Sequence, residues 1–156
     1  MALQLWLLRH GEAVPHDAAP DDERELTDRG REQSRAAGRA LAALEVEVHL
    51  CFTSPKVRAL ETARLACAEV GVEPVVHRPL ASGFDRDDAL ELLAAAGADQ
   101  RVLLVGHEPD FSQLVHDFTG GRIDLKKGGV AALRMDGTRA ELIALLRPRE
   151  LERVGC

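Results

Sequence analysis

The chain has 156 residues, 46% of them apolar and 29% charged, with a formal charge of -6. A chain of that length buries about two thirds of its unfolded surface, enough for a core without disulfide staples, while the acidic balance argues against general nucleic-acid or anionic-membrane binding, which needs a basic face. No apolar stretch reaches the ~20 residues that span a bilayer, and the short run Leu3 to Leu8 meets Arg9 where a signal peptide would have a small-residue cleavage site.

Taken in order, Gln4 to Leu8 is nearly all apolar and ends in Arg9, His10, Gly11 and Glu12. Such a run suits a strand buried on both faces of a mostly parallel sheet. Reacting groups in open α/β sheets sit outside the carboxyl ends of strands. That rule sets Arg9 and His10 at a site for an anion, with Gly11 letting the backbone turn close to a bound group. Ala13 to Glu25 carries Pro15, Pro20 and the acids Asp17, Asp21, Asp22 and Glu23, and reads as a surface loop with solvated acids that borders this turn. Thr27 caps a helix to about Leu44, with Ala36, Ala37, Ala40, Leu41 and Leu44 on one face.

Val46 to Phe52 is β-rich and ends in Thr53-Ser54-Pro55, where serine suits the cap and proline the first position of a helix. That helix is expected to run to about Val70, burying Val57, Leu60, Ala63, Cys67 and Val70. Arg58, one turn inside it, reaches back toward the carboxyl edge of the sheet. Val72 to Leu80 predicts a strand, and Gly83 to Asp85 turns into a helix with Ala89, Leu92, Leu93 and Ala96 on one stripe, closed by Gly97. A second apolar strand, Arg101 to Val105, ends in Gly106-His107, after which Pro109 opens a helix packing Phe111, Leu114, Val115 and Phe118 and stopping at Gly120-Gly121. Val130 to Met135 and Arg139 to Leu146 flank Asp136-Gly137 as a hairpin, and the residues from Pro148 onward read as a frayed end.

Strands alternating with helices, then a hairpin, predict a single α/β domain over residues 1–156, a mostly parallel mixed sheet between helical layers. Cys51, Cys67 and Cys156 are odd in number and far apart in sequence, which predicts a reducing, cytoplasmic setting, with Cys51 and Cys67 as small core hydrophobes. No metal-binding pair of the C-x-x-C or H-E-x-x-H kind occurs, so neither a metal nor another cofactor is expected.

Arg9 with His10, Arg58, and His107 thus converge on one sheet edge. Guanidinium forks match phosphate oxygens, so a phosphoryl group is the expected ligand, with a carboxylate as the weaker alternative. At this level the chain resembles the histidine phosphatase superfamily, the phosphoglycerate-mutase-like enzymes, and within it the short bacterial phosphohistidine phosphatases of the SixA type. The resemblance covers nearly the whole chain. It is carried by Leu8 to Glu12, Leu26-Thr27 with Gly30, Thr53-Ser54-Pro55 followed by Arg58, Glu61, Thr62 and Ala63, Val105 to Pro109, and Lys127 to Ala131. It implies a three-layer α/β/α sandwich in which His10 becomes phosphorylated while Arg9, Arg58 and His107 hold the phosphoryl oxygens, and Ser54 is a further candidate contact.

Fixed cations supply most of the catalysis of phosphoryl transfer, and no metal is obligatory. The reading is therefore a metal-independent phosphatase acting on phosphohistidine of a partner protein. Its alternatives are a phosphomonoesterase for a small phosphate ester and a non-catalytic phosphate-binding module. Ester cleavage calls for a carboxylic acid to protonate the leaving oxygen. In the segment Pro79 to Asp85 only Asp85 qualifies, and helix capping explains it equally well. His10 is expected neutral and His107 protonated, with pKa values pushed apart. Glu12, Thr62 and Glu108 are expected to play supporting parts. His16, His49, His77 and His116 carry no role.

Overall fold

The computed structural model describes residues 2–156. One sheet of six strands runs in the order β3-β2-β4-β1-β5-β6. Its strands are β1 (Gln4–Arg9), β2 (Leu50–Thr53), β3 (Pro74–Val76), β4 (Arg101–Gly106), β5 (Val130–Asp136) and β6 (Arg139–Leu146). The first four pair in parallel, and the β5–β6 hairpin joins antiparallel to β1. Helices α1 (Asp28–Ala43), α2 (Val57–Val70), α3 (Arg86–Leu93), α4 (Asp110–Thr119) and α5 (Pro148–Val154) cover both faces.

The alternation of side chains along β1 divides the core in two. Leu5 and Leu7 face Phe111, Leu114 and Phe118 of α4, while Trp6 and Leu8 belong with Ala37, Ala40 and Leu41 of α1 and Ala59, Ala63 and Cys67 of α2. Each central strand is buried on both faces, which is why its sequence shows no polar alternation. The three-layer mixed sandwich is the expected one. Among the described residues no helix is long and apolar enough to cross a membrane.

Four expectations change. The strand sought in 46–52 is confined to Leu50–Thr53, because pairing with β4 begins only at Leu50 opposite Val102. The strand sought in 72–80 is the edge strand Pro74–Val76, followed by a 3-10 turn at Arg78–Ala81 that buries Leu80. In α2 the buried stripe is Ala59, Ala63, Ala66 and Cys67, with Val57, Leu60 and Val70 half-buried. Small residues win that face because α1 lies against it: a Cβ on Gly38 would come within 2.4 Å of Ala66 O. Finally, the segment after Pro148 is a helix and not a frayed end, since Leu151 is 1% exposed and joins the core with Ala37 and Ala40.

Candidate active site

Register brings the site together. Arg9 pairs with Gly106 across β1 and β4, and Thr53 pairs with Val105 across β2 and β4, so His10, Ser54 and His107 leave three adjacent strands at one level. A cavity of about 360 Å³ opens there, lined by Arg9, His10, Arg58 and His107. Arg58 comes from the first turn of α2 rather than one turn inside it, because the helix starts at Val57 with Lys56 as its cap.

The turn after β1 is held from three sides. His10 N donates to Gly106 O at 3.1 Å, and Gly128 N donates to Arg9 O and His10 O at 3.1 and 2.9 Å. Gly11 N donates to the Thr62 hydroxyl at 3.1 Å, and that hydroxyl donates to Arg58 O at 2.7 Å, so one buried side chain of α2 links the histidine turn to the arginine. The need for glycine at position 11 differs from expectation. A Cβ there would sit 2.5 Å from Gly30 O, and one on Gly30 would sit 2.0 Å from Glu12 O, so the two glycines let the turn close on the start of α1.

His10 is 6% exposed, and its Nδ1 lies 2.7 Å from Gly11 O. A carbonyl oxygen only accepts, so Nδ1 carries the proton and the Nε2 lone pair is left free. Burial, foremost, with Arg58, Arg9 and Lys127 adding repulsion, lowers the His10 pKa to about 4, against the opposing bond to Gly11. His107, equally buried, is lowered to about 3 by burial and then by His10, Arg58 and Lys56. The expected separation of the two imidazoles into a neutral and a protonated one is thus not found: burial is the foremost cause on each ring and Arg58 repels the charged form of both, so both are neutral at pH 7. Their ring centroids lie 5.2 Å apart.

Ser54 stands behind His107, not in the cavity. It is fully buried, its Oγ is hydrogen-bonded to His107 Nε2 at 2.7 Å, and it accepts from Lys56 N at 3.2 Å. Asp85, the one acid of the 79–85 segment, caps α3 reciprocally with Asp88 and takes no part in the cavity lining. Glu108 and Asp110 do line it. The Glu108 carboxylate accepts from Ser112 N at 2.8 Å and from the Ser112 hydroxyl, and Asp110 accepts from Phe84 N at 3.3 Å.

Sequence reasoning missed further charges here. Arg24, Lys56 and Lys127 line the cavity, as do Asp21 and the exposed His16. Asp21 was expected in solvent, yet its carboxylate accepts from Lys56 Nζ at 3.2 Å, from Arg58 at 3.3 Å and from Arg24 Nε at 3.2 Å. Those cations hold its carboxyl well below the usual range, against a contrary push from burial. The sequence held one signal for Lys56, its place two residues before Arg58 at the start of α2. For Asp21 it set only the loop beside the turn; the contact with Arg58 spans 37 residues.

A sequence profile described as the histidine phosphatase superfamily (branch 1) matches residues 5–81. An uncharacterized protein of Picosynechococcus sp. is 33% identical over 163 residues, spanning 96% of this chain and 99% of that one. The structure of the protein histidine phosphatase SixA complexed with tungstate superposes with a TM-score of 0.85 at 26% identity, covering 95% of this chain and 99% of that chain. A phosphoserine phosphatase from Entamoeba histolytica, in complex with 3-phosphoglyceric acid, shares the fold with a TM-score of 0.75 at 15% identity, covering 96% and 99%.

Proposed function

From the premise that the chain belongs to the histidine phosphatase superfamily, we propose that it is a metal-independent phosphatase that removes phosphate from phosphohistidine on a partner protein, with His10 as nucleophile. The observation that carries the chemistry is the His10 ring. Its Nδ1 proton is committed to Gly11 O, and its low pKa keeps Nε2 unprotonated at neutral pH. Imidazole is a nucleophile only in that state.

In the first step Nε2 attacks phosphorus, a bond forms from His10 to phosphorus, and the bond from phosphorus to the substrate imidazole breaks. The departing ring keeps the bonding pair and, protonated on its other nitrogen, leaves as neutral imidazole. Water then attacks phosphorus, the bond to His10 breaks, and inorganic phosphate departs. Charge on the three equatorial oxygens is met by Arg9 and Arg58, which stay protonated at any working pH. A phosphoryl dianion beside His107 reverses the sign of its surroundings and raises its pKa, fitting it to donate to a phosphoryl oxygen. Ser54 positions that ring.

The leaving group favours phosphohistidine. An alkoxide needs an acid, yet Asp85 is occupied in a cap and Asp21 is held ionised by its cations. The second reading, a phosphatase for a small ester, rests on Glu108 and Asp110 in the cavity wall and on the fold shared with a phosphoserine phosphatase. Turnover of a phosphohistidine protein against a panel of sugar and nucleotide phosphates separates the two. A higher kcat/KM for the protein is expected, and a higher value for any metabolite overturns the assignment. A chain that binds phosphate but releases none from a generic aryl phosphate would be a binding module.

A further inference from the structure

A second cavity, of about 510 Å³, shares Arg9 and Lys127 with the phosphoryl pocket. It lies where the first turn of α1, the 126–128 loop and the start of α5 meet. Its charged lining is entirely cationic: Arg9, Arg29, Lys126, Lys127, Arg147 and Arg149, in a chain of formal charge -6. Lys126 pairs with Asp124 at 2.6 Å, and Arg147 with Glu150 at 2.9 Å. Arg149 lies 3.7 Å from the same Glu150. Arg29 and Lys127 are exposed and form no ion pair among the described residues. Cations gathered against the sign of the whole surface, with more of them than local carboxylates to answer them, leave a positive potential aimed at a partner.

Resting on the reading of a protein substrate, we infer that this groove docks an acidic segment of the phosphorylated protein, beside its phosphohistidine. Continuity decides the occupant. A chain whose phosphohistidine enters the pocket passes Arg9 and Lys127 at the rim, and its next residues fall among Arg29, Arg147 and Arg149. A long polyanion such as a nucleic acid would extend beyond the groove onto a surface of its own sign. A short acidic segment ends within it. Complementary rim charges of this kind act through the rate of encounter and the choice of partner, and weaken with salt.

The test uses two synthetic phosphohistidine peptides, one with glutamates flanking the phosphohistidine and one with alanines, and the variant Arg29→Glu/Arg149→Glu. Each substitution falls in the first turn of a helix, where a carboxylate is favoured, so the fold is retained; an unchanged Tm checks this. Neither residue lines the phosphoryl pocket, so turnover of an aryl phosphate is unchanged. The expected result is a kcat/KM about tenfold or more higher for the acidic peptide at low salt, falling with added salt and abolished in the variant. Equal kcat/KM for the two peptides, or a preference that survives the charge reversal, overturns the docking alone. Hydrolysis of neither peptide while the aryl phosphate is turned over removes the phosphohistidine reading and the docking with it. Stronger competition by a single-stranded oligodeoxynucleotide than by an oligoglutamate of equal charge assigns the groove to nucleic acid and overturns the proposal.

Discussion

At the scale of single residues, the tautomer of His10 decides whether the site can act. The Nδ1 contact to Gly11 O predicts a histidine nitrogen spectrum of the Nδ1-protonated form, and neither His10 nor His107 titrating near the ordinary value, with midpoints near 4 and 3. Titration of either ring close to pH 6.5 would contradict this. Arg58 is the second test. Arg58→Ala is expected to lower turnover of an aryl phosphate by about a hundredfold or more, the scale of losing a preorganised donor to developing charge, with an unchanged circular dichroism spectrum; a small loss would place Arg58 outside the reaction. Arg9, His10 and His107 were legible in the sequence because each lies at or just beyond the end of an apolar strand, and strand ends are local signals. Lys127 was read only as part of a motif and Asp21 only as a solvated acid of a bordering loop, since their place in the cavity depends on how a loop and a turn lie across the sheet edge. The equal burial of both imidazoles was equally hidden, being a property of the closed pocket.

At the scale of elements, the caps of α1 and α3 and the closing hairpin, which depend on neighbours in sequence, were read well, whereas α2 starts at Val57 with Lys56 as its cap and not at Pro55 with Ser54. Thr27 accepts from Gly30 N as the cap of α1, Asp85 caps α3, and the hairpin turns at Asp136-Gly137 with Gly137 at φ 61°. What depended on distant partners was misread. The stripe of α2 was assigned to Val57, Leu60, Ala63, Cys67 and Val70; Ala63 and Cys67 are buried as expected, but close contact with α1 selects Ala59 and Ala66 in place of the larger Val57, Leu60 and Val70. Helix α5 was missed because seven residues with a single fully buried side chain make no periodic pattern, and its core contact is with a helix more than a hundred residues earlier. That contact is testable. Leu151→Ala is expected to cost about 2–5 kcal/mol in urea unfolding, the usual range for a buried leucine. A loss below about 0.5 kcal/mol would return the segment to the status of a surface tail.

At the scale of the whole molecule, the burial of two imidazoles in a cation-lined pocket contributes to how stability follows pH. The folded pKa values of His10 and His107, about 4 and about 3, lie below the unfolded value near 6.5, so between these limits the unfolded chain binds more protons than the folded one. Their contribution to stability is therefore full above about pH 6.5 and falls as pH drops toward 3, the sign opposite to that of a histidine gaining an acidic partner. Urea midpoints at pH 7 and pH 5 are expected to differ in that direction, and a His10→Asn/His107→Asn variant to lose most of the difference; equal midpoints in the parent would contradict the pKa assignment. Because the clamp is made of side-chain cations, activity is expected to survive chelator, and restoration of a lost activity by magnesium or zinc would contradict a metal-independent reaction. The account as a whole depends on which imidazole takes the phosphate. Phosphohistidine is acid-labile, so the direct measurement is rapid mixing with a phosphodonor, alkaline quench and peptide mass mapping. Phosphate on the peptide containing His10, absent from His10→Ala, is the expected result; phosphate on the peptide containing His107, or undiminished labelling of His10→Ala, would contradict it.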